Sequence, residues 1–444
     1  MVARLTGLLA VAGLGLLILC GLLLRRLVPM LARLMLPASL IGGFAGLAAG
    51  PHGLNAIPAG VVDTWATLPP LLITLVFAGL FLGVATPSPR TVVRLGGPLV
   101  RFSVVTALGQ YVVGLLLAWL VLAPVFGTPL LIGCLIEVGF SGGHGTAAAM
   151  APVFADLGFD AGGALGQMSA TVGLIVGVVG GVALIQWGVR HGHTAGESGD
   201  GSGSRRGDGR QLPVAARRPI AIGTVSPDVI EPFTLHLAVI LLAVVVGWVM
   251  LAGLRGLHPS LGGLPLFPLA MVGGMLVQVA AERLDLHDYF DRATFQRITG
   301  VSLDLLVAAA VASLSLDLVL QNVVPFALLM LAGTAWVVVS FVWLGPRLLR
   351  TDWFEQGIVV YGTQTGVAAV GLMLLRIVDP ETRTTAAQAF AARSMVTSPL
   401  LGGGLVTATM PLLVQQAGPL PVVGVLVVIM ALAAWWPAPR RVSG

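Results

Sequence analysis

Glu137 and His144 lie seven residues apart inside one apolar run, "TPLLIGCLIEVGFSGGHGTAAAMAPVF", residues 128–154. A carboxylate held in hydrocarbon costs about 2.5–3.5 kcal/mol on insertion scales. An imidazole titrates near neutral pH. Cation or proton coupling, or the reading of a substrate amine, would use both groups. A plainer use is available to each: the carboxyl can cap a hairpin, and the imidazole can fix its tip through a hydrogen bond. Ser141, Gly142, Gly143, Gly145 and Thr146 frame the histidine. A second run, "VVYGTQTGVAAVG" at 359–371, holds Gly362, Thr363, Gln364, Thr365 and Gly366. Glycine-rich backbone at membrane depth loses its water and persists where it lines protein or a wet cavity. Helix N-termini at such a break offer free N–H groups to a carboxylate, and freed carbonyls suit a small cation. These eleven residues, 141–146 and 362–366, are the expected substrate site.

Ser302 and Asp304 are further coupling-ion candidates, near the inner end of a span at 301–320. Asp317, at its other end, reads as a solvated terminal residue. Arg376 and Arg393 flank the second run and read as membrane anchors, with a substrate carboxylate as the alternative partner. The glycine runs at 180–181 and 402–404 read as sites of close helix packing.

The elements that must carry these residues follow from composition. The chain has 444 residues, 57% hydrophobic and 10% charged, where a soluble domain carries about 25% charge. Its apolar runs are continuous rather than alternating, which excludes a β-barrel and leaves an all-α polytopic membrane protein. The first run, Leu5 to Leu24, lacks a clear small-residue cleavage site and is followed by Arg25 and Arg26, so it reads as a retained span. All 24 basic residues are arginine and lie in loops, so their partner is the bilayer surface and not nucleic acid. Two cysteines give neither a disulfide framework nor a metal cluster.

Spans of about 20 apolar residues fall near 5–24, 30–49, 64–84, 102–126 and 168–187, then near 233–254, 264–281, 301–320, 323–344, 394–414 and 420–437. The segments 129–153 and 356–378 are each interrupted at mid-length and read as re-entrant hairpins. With the N-terminus outside, this arrangement places nearly every arginine in the cytoplasm, with Arg255 the main exception. The central loop and the C-terminus are then cytoplasmic, and Asp156 and Asp160 face outward.

The two halves repeat. "LPASLIGGFAGL" (36–47) aligns with "FPLAMVGGMLVQ" (267–278), the hairpins fall opposite each other, and "GVVGGVAL" (177–184) falls opposite "SPLLGGGLV" (398–406). The expected organisation is a first repeat at 1–189, a cytoplasmic Gly/Ser/Arg-rich loop at 190–232, a second repeat at 233–416, and an extra span with a basic tail at 417–444. Inverted halves with broken segments at matching positions point to a secondary transporter in the cell membrane and to its binding site.

With "SGGHGTAAAM" (141–150), "LPASLIGG" (36–43) and the second hairpin in place, the chain resembles the glutamate:sodium symporter family to about residue 416. The resemblance implies two five-span inverted repeats, a re-entrant hairpin in each, a dimeric elevator-type transporter, and glutamate uptake coupled to inward sodium with no cofactor. Three features depart from the family pattern. The second tip is Gly362-Thr363-Gln364-Thr365-Gly366 where Gly-His-Cys-Gly-Phe-Gly is typical, Glu137 replaces a small or neutral residue, and the segment 420–437 is extra. Proton-coupled carriage of another organic anion is the alternative within transport. An intramembrane enzyme would need further histidines at metal-ligand spacing, or a Ser–Lys or Asp–Asp pair, which the chain lacks. A channel would not need two matched hairpins.

Overall fold

Long apolar sequences fold here as helices, because a helix satisfies its own backbone groups. The computed structural model describes residues 2–33, 36–51, 53–84, 96–194, 222–257, 264–314, 320–349, 351–379 and 383–435. Most of the expected cytoplasmic loop, the basic tail and Asp317 lie outside the described residues. In chain order the principal helices are α1 (Val2–Leu27), α2 (Ala38–Ala49), α3 (Ala59–Ala66), α4 (Pro69–Ala78), α5 (Gly97–Leu117), α6 (Leu135–Phe140), α7 (Gly143–Asp156), α8 (Gly162–Ile175) and α9 (Gly181–Arg190). There follow α10 (Pro232–Leu257), α11 (Phe267–Arg283), α12 (Arg292–Ala312), α13 (Val323–Val339), α14 (Trp353–Val378), α15 (Ala386–Thr397), α16 (Leu405–Ala417) and α17 (Pro419–Trp435). Among the described residues, eight helices are long and apolar enough to cross a membrane.

The helices form two compact units, and each draws on both halves of the sequence. The first comprises Met1–Thr86 and Gly207–Leu316, the second Pro87–Arg206 and Asp317–Gly444. Both broken segments belong to the second.

In the first unit the aligned glycine pairs have matching surroundings. A Cβ on Gly42 would collide with Leu17 O of α1, and one on Gly43 would lie 2.7 Å from Val311 Cβ of α12. A Cβ on Gly273 would collide with Ala243 O of α10, and one on Gly274 with Ala78 O of α4. In each pair, then, the first glycine meets the preceding helix and the second meets a helix from the other half. Only glycine permits backbones to approach this closely. Trp65 plugs the same unit, wholly buried, with Nε1 donating to Ala10 O at 2.7 Å.

Three expected spans are not continuous. The stretch 30–49 holds a short turn, Pro29–Arg33, and then the twelve residues of α2, about 18 Å of helix at 1.5 Å per residue. Pro37 precedes α2, and proline disfavours helix in the residue before it. Pro69 and Pro70 restart the helix after α3. The stretch 394–414 separates into α15 and α16 at Ser398–Gly404, where Gly402 and Gly403 have φ of 65° and 104°. The glycines at 402–404 are therefore the break itself, where close helix packing was expected. At the matching place in the first half the helix runs on from α8 to α9 through a π-helical turn, Val176–Gly180. Helix α17 lies on α5, and Arg101 secures its end by donating from Nε to Ala433 O and from Nη2 to Ala434 O, both at 3.2 Å.

Candidate binding site at two helix breaks

Helix α8 shows how the first broken segment runs. Gly166 of α8 meets Leu135 of α6 and Ala147 of α7 together. Further along α8, Gly139 lies against Ser169 and Phe140 against Gly173; in the other direction, Ala151 lies against Gly163 and Phe154 against Gly162. Helices α6 and α7 therefore travel oppositely along the same neighbour, and the chain turns back on itself at Ser141–Gly143. Gly143 makes the turn with φ of 70°. Gly145 lies inside α7, beyond the turn.

The second segment, α14, is two helices joined across a kink. Gly366 has φ −140° and ψ 35°, and Val367 has φ 60° and ψ 177°. A Cβ on Gly362 would lie 2.7 Å from the Cα of Gly371. In an unbroken helix nine residues span about 13.5 Å, so this segment also folds back.

The two turns meet. A Cβ on Gly143 would lie 2.5 Å from Val367 Cγ1, and one on Gly177 would lie 2.7 Å from Thr365 Oγ1. Around this meeting point the polar groups divide into used and unused. Thr363 Oγ1 donates to Val359 O at 2.7 Å, and Thr365 Oγ1 to Tyr361 O at 2.8 Å. His144 Nε2 lies 3.1 Å from Thr171 Oγ1, and Gln167 Nε2 donates to His144 O at 2.8 Å. Gln110 Nε2 donates to Gln364 O at 2.7 Å. In contrast Gln110 Oε1, Gln364 Oε1 and Nε2, Gln167 Oε1 and Thr146 Oγ1 are buried with no hydrogen-bond partner among the described residues. An unpaired buried polar group costs about 1–3 kcal/mol.

Glu137 is wholly buried and anchored. Tyr111 Oη donates to its Oε2 at 2.5 Å, while Gly402 N at 2.7 Å and Thr407 Oγ1 at 3.0 Å donate to its Oε1. It ties the first hairpin to α5 and to the break between α15 and α16. A Cβ on Gly402 would lie 3.1 Å from Ser141 Oγ, so this third break abuts the first tip.

All eleven expected tip residues and Glu137 belong to the second unit, and there Gly143 of the first segment meets Val367, next to Gly366 of the second. Ser302 and Asp304 belong to the first unit. There Ser302 is buried and donates to Ile298 O at 3.0 Å, and Asp304 is exposed. Sequence reading passed over Gln110, Tyr111, Gly402 and Thr407. A Gln-Tyr pair in the middle of the span 102–126 was a signal, since polar side chains are costly at that depth.

The sodium/glutamate symporter family model matches residues 4–366. The chain belongs to the sodium/glutamate symporter family. This symporter is accordingly a multi-pass membrane protein and a secondary transporter. No curated protein and no solved structure matches it. The family match ends at Gly366, so α15, α16 and the break between them are known here from the structure alone.

Proposed function

We propose that this symporter couples inward sodium to the uptake of glutamate or a closely related small carboxylate, bound where the two hairpin turns meet. The observation that supports it is the contact of Gly143 with Val367 amid unpaired amide and hydroxyl groups. The N–H groups opening α7 suit a carboxylate. Sodium is better served by the unpaired oxygens of Gln110 and Gln364 than by Glu137, whose oxygens already accept three hydrogen bonds. Because both hairpins lie in one compact unit, that unit is the natural moving body of an elevator.

Uptake of labelled glutamate into proteoliposomes tests this. Uptake should require sodium inside-directed and collapse when choline replaces it. Uptake indifferent to choline but lost with a protonophore would establish proton coupling, and the absence of glutamate counterflow would remove the carrier.

The proposed orientation has its own test. In a background with Cys20 and Cys134 replaced by alanine, Asp160→Cys should react with an impermeant thiol reagent on intact cells, and Arg383→Cys only after permeabilisation. Both positions are exposed. Reaction of both from one side would remove the inverted arrangement. A thiol at Ser141 should instead change its reactivity with sodium and substrate, since a carrier opens its tips to each side in turn.

A further inference from the structure

Arg393 lies on α15 and is 4% exposed. Its Nε donates to Ser103 Oγ at 2.8 Å, and its guanidinium stands 5.5 Å from the Phe390 ring centroid. No carboxylate pairs with it among the described residues, and the remaining four N–H donors have no partner there. A guanidinium stays protonated in proteins. Burying that charge without a counter-charge is costly, and the cost is lifted when an anion arrives. A membrane anchor would be exposed, as Arg376 on α14 is.

The position is informative too. One turn earlier on α15, Ala389 and Phe390 close an apolar cluster with Leu99, Phe102, Val359 and Val360. Nine residues later, Gly402 donates to Glu137 beside the first tip. Arg393 therefore lies between an apolar plug and the helix breaks. Ser103, which it bonds, is seven residues before Gln110 on α5. Two helical turns return to the same face, about 10 Å along the axis. Gln110 in turn donates to Gln364 O at the second tip. A buried polar stripe on α5 thus joins the arginine to the proposed site. Glu137 does not pair with it; that carboxylate accepts from Tyr111, Gly402 and Thr407.

We infer that Arg393 receives a carboxylate of the transported anion and sets the preference for charged substrate over its neutral amide. This deepens the proposed transport function and rests on it. A guanidinium fork holds a carboxylate through two parallel hydrogen bonds, which an amide cannot match.

The test uses purified full-length protein, as wild type, Arg393→Gln and Arg393→Lys. Thermal unfolding and equilibrium binding are measured in sodium with glutamate, aspartate and malate, and with glutamine as the neutral probe. Wild type should bind at least one carboxylate tightly. Arg393→Gln should weaken that ligand by more than ~30-fold and leave glutamine affinity within ~3-fold. Arg393→Lys should fall between, as a point charge without the fork. Without ligand, Arg393→Gln should melt higher than wild type, because an uncompensated buried charge has gone. A structural arginine would behave oppositely: the ligand-free variant would melt lower or fail to fold, and carboxylate and amide would weaken together. Either result overturns the inference. If malate or aspartate binds and glutamate does not, the proposed substrate falls while the arginine is still judged on the ligand that binds. A wild type that binds none of the carboxylates overturns both.

Discussion

Alanine in place of Gly143 should reduce transport by about 100-fold or more in a protein that still inserts and folds. Two independent penalties meet at this residue. Its φ of 70° is left-handed, which costs an L side chain about 1–2 kcal/mol. The added Cβ would also stand 2.5 Å from Val367 Cγ1, well inside the usual 3.5–4.0 Å carbon contact. Val367 has little room to yield, because a β-branched residue at φ 60° is already strained. The tips must separate, and misplacing binding groups by about 1 Å can cost 10²-fold. Gly158→Ala supplies the control. Its φ is 79°, yet nothing lies within 4 Å of the added Cβ, so it carries the backbone strain without the collision. Sodium-dependent uptake should survive in Gly158→Ala and return in part in Gly143→Ala/Val367→Gly. Equal losses in both single variants would show that backbone strain acts alone and that the contact between tips is unimportant.

The difference between these glycines also shows what the sequence can convey. Glycine and polar residues inside an apolar run announce that a helix breaks, because the cost of exposed backbone in hydrocarbon is local in sequence. The breaks within 129–153 and 356–378 were legible for that reason. Which glycine turns the chain is not local. Gly142, Gly143 and Gly145 look alike in sequence, and only the left-handed φ and the contact with Val367 single out Gly143. Gly402–Gly404 misled by the same logic. A glycine triplet suits both close packing and a break, and the decision rests on Glu137, 265 residues away, which accepts from the Gly402 N–H. The pairs Gly42–Gly43 and Gly273–Gly274 were legible as matching sequence, although their partners Val311 and Ala78 were not. Arg393 shows the limit for charge: the positive-inside rule counts arginines and does not see that one of them is buried.

Glu137 separates anchoring from coupling, and two substitutions tell them apart. Glu137→Ala removes both carboxylate oxygens and leaves Tyr111 Oη, Gly402 N and Thr407 Oγ1 without their acceptor. Each unpaired buried donor costs about 1–3 kcal/mol. The Gly402 N–H is the worst placed, since a backbone donor cannot rotate to another partner. Folded protein should therefore be scarce, and what remains should melt well below wild type. Glu137→Gln keeps the shape and one oxygen. That oxygen can still accept from Gly402 N and Thr407 Oγ1, while the amide NH₂ faces Tyr111, whose hydroxyl can turn to accept. If Glu137 acts as an anchor, Glu137→Gln should fold, melt modestly lower and retain sodium-dependent uptake within about tenfold of wild type, since one weakened hydrogen bond is worth about 1 kcal/mol. Its sodium concentration dependence should be unchanged. A coupling role predicts a different pattern: near-normal folding with uptake that no longer responds to sodium, or that follows the proton gradient instead. The three donors already gathered on the carboxylate favour the first outcome. A cation there would share a carboxylate that already accepts from Tyr111, Gly402 and Thr407, whereas the side-chain oxygens of Gln110 and Gln364 stand unpaired beside the second turn.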